Sequence, residues 1–144
     1  MKKIAIINGP NLNLLGVREP EVYGRCTMDD VLTELHCKFP DVEIDYFQSN
    51  IEGELIDQVQ KVGFEADGIV INAGGYSHTS VALHDALQSV PCQAIEVHIS
   101  NIFSREEYRH HSLLSSACRG LVCGLGTDGY HLAIMAIINS TGKH

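Results

Sequence analysis

Hydrophobic and polar positions along this chain switch between a strand period and a helix period, and the switches mark its elements. KKIAIIN (2–8) is a short β-branched run closed by Gly9-Pro10, which predicts a buried strand. Thr27 precedes MDDVLTELHCKF, with acids in the first turn and apolar residues at 28, 31, 32, 35 and 39. That spacing predicts an N-capped amphipathic helix stopped by Pro40. VEIDYFQ (42–48) alternates as a strand does, and residues 51–63 carry a helical stripe at 51, 55, 56, 59 and 62. GIVIN (68–72) predicts a strand apolar on both faces, and a helix follows from about residue 79 to residue 89, ahead of Pro91. CQAIEVHIS (92–100) predicts a fourth strand, 105–118 a polar-faced helix, GLVCGLG (120–126) a fifth strand and 127–140 a last helix.

Strands that alternate with helices and are apolar on both faces imply a parallel sheet covered on both sides. Five such units predict one α/β domain over 1–144, a doubly wound five-stranded parallel sheet of flavodoxin-like order 2-1-3-4-5. In such sheets ligands bind beyond the carboxyl ends of the strands, at the switch in strand order. Function is therefore expected in the loops after strands 1, 3 and 4.

Composition narrows the classes. The chain has 144 residues, 44% hydrophobic and 19% charged, a globular balance, with a formal charge of −8 and a pI near 5.3. An acidic chain without basic runs argues against nucleic acid as a partner. The apolar stretch at the N-terminus is too short for a secretory or membrane segment, so a cytoplasmic protein without a membrane partner is expected. Five cysteines without a CxxC pair suggest neither a disulfide frame nor a zinc site, and Cys92, Cys118 and Cys123 read as small core residues.

The first loop is the unusual one. PNLNLLGVREPEVYG (10–24) is too long for a tight connection and contains Asn11, Asn13, Arg18 and Tyr23. The loop after strand 3, NAGGYSHTS (72–80), offers Asn72, the adjacent Gly74 and Gly75, His78 and a helix start; free N–H groups there suit an anion. Strand 4 ends in EVHIS, with Glu96 and His98 on one face by period two, then Ile99 and Ser100. Arg105 and Arg109 are expected at i, i+4 on one helix face. Each residue also has a plain structural reading: Tyr23 as a lid on the helix below it, Arg18 as a solvated charge, His78 and Thr79 as caps, Glu96 and His98 as a mutual brace, and the two arginines as partners of Glu106. Their convergence on one crevice favours a site for a small anionic, polyhydroxylated molecule.

Other chemistries fail on residues. GLGTDG (124–129) matches GxGxxG, yet it sits on the last strand–helix unit without the second strand and acidic residue that dinucleotide binding requires, so Gly124, Gly126 and Gly129 read as turn and packing glycines. Asn8 and Asn72 stand where a phosphoryl-accepting receiver would need acids. The loop after strand 1 has no Ser/Thr-rich phosphate cradle for a flavin. No metal spacing or strand-end lysine occurs, so neither a metal, another cofactor nor a Schiff base is expected.

NGPNLNLLGVREPEVYG, NAGGYSHTSVALHDAL and EVHISNIFSREEYRHHS, in that order, with the closing GLGTDGYHLA, resemble the type II 3-dehydroquinate dehydratases. The resemblance covers nearly the whole chain. It implies a hydro-lyase that converts 3-dehydroquinate to 3-dehydroshikimate in the shikimate pathway of aromatic amino-acid biosynthesis, assembled as a homododecamer and free of cofactors. By motif position it implies Tyr23 as general base, Arg18 as its activator, His98 as general acid, and Asn11 holding the water or oxygen that stabilises an enolate. It also implies Glu96 orienting His98, and Arg105 near the tyrosine. Substrate contacts would come from Asn72, Gly74, Gly75, His78, Ile99, Ser100 and Arg109, with Asp85 reaching in from a neighbouring subunit. The chain departs from the commoner family text at Ala73, Gly75 and His84. The alternative reading is a non-catalytic binder of a small hydroxy acid on the same fold.

The implied chemistry suits these residues. Tyrosine with a pKa near 10 is only about 0.1% ionised at pH 7, a handicap of roughly 4 kcal/mol. An arginine within about 4–6 Å lowers a neighbouring acid by roughly 1–3 units, which recovers much of it.

Overall fold

The computed structural model describes residues 1–140, with the side chains of Val22 and Tyr23 outside what it describes. Five strands, β1 (Lys2–Asn8), β2 (Val42–Gln48), β3 (Gly68–Asn72), β4 (Gln93–His98) and β5 (Gly120–Cys123), form one sheet in the order β2-β1-β3-β4-β5. All four pairings are parallel. The expected order is the observed one.

Alternate residues of the central strands build two separate cores. Ile4, Ile6, Val70, Ile95 and Val97 face helices α2 (Met28–Lys38) and α5 (Asp128–Ile138). Ala5, Ile7, Ile69 and Ile71 face α3 (Glu52–Val62) and α4 (Val81–Ser89). A strand that feeds both cores has no polar face, which is why β1 and β3 read as unbroken apolar runs.

Helix starts follow local chemistry. Thr27 and Asp30 form a reciprocal capping box, with Asp30 N donating to Thr27 Oγ1 at 3.2 Å and Thr27 N to Asp30 Oδ2 at 3.1 Å. Helix α4 begins later than expected, because Gly74–His78 makes a 3-10 turn and Ser80 caps the helix through Leu83 N at 2.9 Å. His78 and Thr79 are therefore not its caps.

The helix expected over 105–118 does not form. After a first 3-10 turn at Ile102–Ser104, that stretch makes only two more, Glu107–Arg109 and Ser115–Ala117. Leu114 is the one buried residue of that stretch, so no apolar stripe exists to hold a helix on the sheet. Its polar groups bond elsewhere: Leu113 N donates to Ser77 O at 2.7 Å, and the Ser112 and Ser115 hydroxyls are drawn to Glu96. The fifth strand is also shorter than expected. It ends before Gly124, whose φ of +85° turns the chain where a Cβ would lie 3.0 Å from Asn101 Cβ. A Cβ on Gly129 would press on Val97 at 2.9 Å, so the GxGxxG glycines serve the turn and the helix–sheet contact.

The carboxyl ends of β1, β3 and β4 lie side by side at Asn8, Asn72 and His98, and the loops that leave them surround a single crevice.

Candidate functional site

Strand β4 supplies the most deeply set pair. Glu96 is fully buried, and period two puts His98 on the same face with its Nε2 donating to Glu96 Oε2 at 2.5 Å. Ser112 Oγ donates to the same carboxylate at 2.6 Å and Ser115 Oγ at 2.5 Å. Burial pushes the carboxyl up, but the hydrogen bonds from His98, Ser112 and Ser115 outweigh it and hold Glu96 below its ordinary range. Glu96 is thus a buried, fully bonded anion. It commits one imidazole nitrogen of His98 and leaves Nδ1 for the crevice.

His78, from the turn after β3, stacks on His98 with ring centroids 6.0 Å apart. Its Nδ1 lies 2.9 Å from His111 O, an oxygen that can only accept, so Nδ1 holds the proton and Nε2 is the free acceptor. Burial, helped by the nearby His98 and Arg109 charges, lowers His78 despite the opposing His111 bond, so the ring is neutral near pH 7.

Arg109 Nε donates to Glu106 Oε2 at 2.8 Å, and Tyr108 Oη donates to the same oxygen at 2.6 Å. Those bonds push Glu106 down to about 2. Arg105 reaches Ser100 Oγ at 3.4 Å and Glu106 at 3.8 Å. The two arginines therefore do pair with Glu106, as their plain reading held. Both still line the crevice, brought there by successive 3-10 turns and not by a shared helix face.

The first loop has an anchored half and an outlying half. Leu12 and Leu15 are buried in the core under α2 and α5, and Asn11 takes a left-handed turn (φ 70°) with its N–H on Asn50 Oδ1 at 3.0 Å. A Cβ on Gly9 would lie 2.3 Å from Ala73 O, so only glycine lets the loops after β1 and β3 meet. Beyond Leu15 the chain leaves the core. Its neck closes where Gly16 (φ +94°) passes the Arg25 carbonyl, 2.8 Å from where a Cβ would stand. The excursion carries Arg18, whose Nη2 meets Glu19 Oε2 at 3.1 Å, and ends in the single helical turn α1 (Pro20–Tyr23).

One cavity of about 100 Å³ gathers most of the expected residues. Arg18 and Asn11 line it from the first loop, Asn72, Gly74, Gly75 and His78 from the second, and His98, Ile99, Ser100, Arg105 and Arg109 from the third. Glu96 lies behind His98. Asp85 does not join them: it is exposed on α4 and meets His84 Nδ1 at 3.1 Å. The Tyr23 side chain falls outside the described residues. Pro10, Leu12 and Ile102 complete the wall and were not anticipated, nor were Ser112 and Ser115, whose task depends on a carboxylate 16 and 19 residues away.

With three guanidinium groups, two imidazoles and two amides on one small wall, the cavity can bind a carboxylate-bearing polyol and pass a proton through His98. Among the described residues no group of three or more His, Cys, Asp or Glu side chains is placed to hold a metal ion, and no helix is long and apolar enough to cross a membrane.

Comparison with known proteins gives a consistent result. The sequence model of the family described as Dehydroquinase class II matches residues 2–138. A 3-dehydroquinate dehydratase of Variovorax paradoxus (strain S110) is 53% identical, over 96% of this chain and 99% of its own. The 3-dehydroquinate dehydratase of Campylobacter jejuni strain 81-176 is 51% identical over 94% of this chain and 87% of its own. The crystal structure of type II dehydroquinase from Butyrivibrio crossotus superimposes with a TM-score of 0.92 at 45% identity, covering 96% of this chain and 98% of that one.

Proposed function

This chain belongs to the class II dehydroquinase family, and we propose that it is a hydro-lyase that dehydrates 3-dehydroquinate to 3-dehydroshikimate in the shikimate pathway. The substrate is a β-hydroxy ketone. Its dehydration breaks a C–H bond alpha to the carbonyl and then a C–O bond, with an enolate between.

Tyr23 removes the alpha proton as its phenolate, which Arg18, five residues earlier, stabilises. The electron pair moves onto the carbonyl oxygen, and Asn11 holds the water or oxygen against which the enolate is stabilised. The enolate then collapses to the conjugated ketone. The hydroxyl leaves as water with a proton from His98 Nδ1, the ring being held in place by Glu96 across the Nε2 bond. Arg109, the Ile99 and Ser100 amides, Asn72 and His78 hold the carboxylate and ring hydroxyls. Gly74 and Gly75 let the backbone close on them, and Arg105 adds positive charge beside the base. Asp85, turned away from the crevice of its own chain, serves that of a neighbouring copy in a dodecamer. The enzyme is cytoplasmic and uses no cofactor.

The observation that carries this reading is the Glu96-bound His98 facing the same cavity as Arg18, Arg105 and Arg109. The test is spectroscopic. The product conjugates its carbonyl with the new double bond and absorbs ultraviolet light, so purified protein with 3-dehydroquinate should give a rising absorbance. A protein that binds the compound and gives no rise is a binder, and the proposal fails.

A further inference from the structure

Behind the cavity lies a chain of hydrogen bonds that joins β1, β2, β3 and α5. Asn8 and Asn72 end β1 and β3 and are partners in the sheet register. Tyr130, in the first turn of α5, is fully buried between them. Its hydroxyl donates to Asn8 Oδ1 at 2.8 Å and accepts from Asn72 Nδ2 at 3.1 Å. Asn8 Nδ2 approaches Tyr46 Oη at 3.4 Å, and Asn72 Oδ1 accepts the Gly74 N–H at 3.3 Å.

The direction of every proton follows. A phenol has one proton, and Asn8 Oδ1 can only accept, so the Tyr130 oxygen must accept from Asn72. The Asn72 amide is then fixed at both ends, Oδ1 toward Gly74 and Nδ2 toward Tyr130. Turning it over would set its oxygen against the lone pairs of Tyr130 and its NH2 against the Gly74 N–H. The second Nδ2 hydrogen is the one direction left, and Asn72 stands on the cavity wall. Burial raises the Tyr130 hydroxyl well above its ordinary range, against the opposing bonds from Asn72 and Asn8, so it keeps its proton at any working pH.

We propose that Tyr130, which does not line the cavity, is a positioning residue: with Asn8 it locks the Asn72 amide so that an N–H donor, not a carbonyl, faces the substrate. The group recognised there is an oxygen acceptor, a hydroxyl or carbonyl oxygen. The substrate half of this inference rests on the dehydratase reading.

Tyr130→Phe keeps the ring and removes both bonds. With 3-dehydroquinate as the probe, KM should rise at least ~10-fold and kcat change less than ~3-fold, with oligomeric state unchanged. The decisive readout is a double-mutant cycle. On an Asn72→Ala background, Tyr130→Phe should add less than ~2-fold, because its effect travels through the amide already removed. A purely structural role would leave the two effects on KM multiplicative, which would overturn the proposal. Should Tyr130→Phe not fold, Asn8→Ala frees the phenolic proton and should show the same non-additivity. A neutron structure of the unaltered protein reads the orientation without turnover. Deuterium between Tyr130 and Asn8, with the Asn72 nitrogen toward Tyr130, is expected; the opposite orientation refutes the claim. A protein with this orientation and no turnover would contradict the dehydratase reading alone.

Discussion

The two walls of the cavity are built in opposite ways. The strand wall is part of the core: Glu96 is fully buried, His98 nearly so, and each is tied into hydrogen bonds that link β4 to the turns over 107–117. The loop wall stands outside the core. Leu12 and Leu15 root it, but Val17 is 76% exposed, and Arg18 and Glu19 form a half-exposed ion pair beyond a glycine neck. The difference matches the demands of the two proton transfers we propose. A proton donor that must be charged inside a protein needs a buried counter-ion held in place, and that in turn needs a core. A base that must meet a carbon acid needs only one cation beside it, and a loop can bring both to a substrate already bound.

The comparison predicts that loop substitutions cost rate without stability, whereas strand substitutions cost both. The largest effect belongs to Tyr23→Phe. Turnover should fall by ~10²–10⁴ with KM and melting temperature nearly unchanged. Steady-state kinetics and a thermal melt on one preparation check this, and loss of stability in step with rate would erase the distinction between the walls.

Glu96→Gln should be milder in rate and costlier in stability. It leaves His98 without its counter-ion and gives two serine hydroxyls a poorer acceptor, so kcat should fall ~10–10²-fold and about 3–5 kcal/mol of unfolding free energy should be lost near pH 7. Denaturant titration beside the kinetic assay measures both.

Ser112→Ala is smaller again. It removes one of three hydrogen bonds to the carboxylate and should cost about 1.5–3 kcal/mol near neutral pH, with only a several-fold loss of rate. The sign of its pH dependence is fixed. Glu96 is held below its ordinary range, so the stability it contributes is fully present above its unfolded pKa, about 4.3, and is lost as pH falls through the lower folded value. The gap between unaltered and Ser112→Ala proteins should therefore close as pH drops below about 4. A gap that persists unchanged would mean the serine acts by packing alone.

The same division governed what the sequence disclosed. Strands feeding two cores are apolar along the buried part, so β1 and β3 stood out, and β4 with them by its Ala94, Ile95 and Val97. Glu96 and His98 were legible because period two is strict. Arg18 and Tyr23 were legible as chemistry, since an arginine and a tyrosine together in a long early loop invite an acid–base reading. The segment after β4 was misread because Arg105 and Arg109 at i, i+4 imitate a solvated helix face, while the serines that bind Glu96 and the Leu113 N–H that crosses to Ser77 take the hydrogen bonds a helix would need. Ser112, Ser115 and Tyr130 gave no local signal. Two look like loop serines and one like a core aromatic until the sheet brings their partners within reach.

At the centre of the account is a base made usable by Arg18. The most direct test is the pH dependence of kcat in Arg18→Ala between pH 7 and 10, beside the unaltered protein. Deprived of the cation, the tyrosine returns toward its ordinary pKa near 10, so the residual rate should start low and climb close to tenfold per pH unit. The unaltered protein should reach its plateau at least about one unit lower. A flat profile in Arg18→Ala, at any rate, would show that no tyrosine ionises in the rate-determining step and would contradict the assignment of Tyr23 as the base.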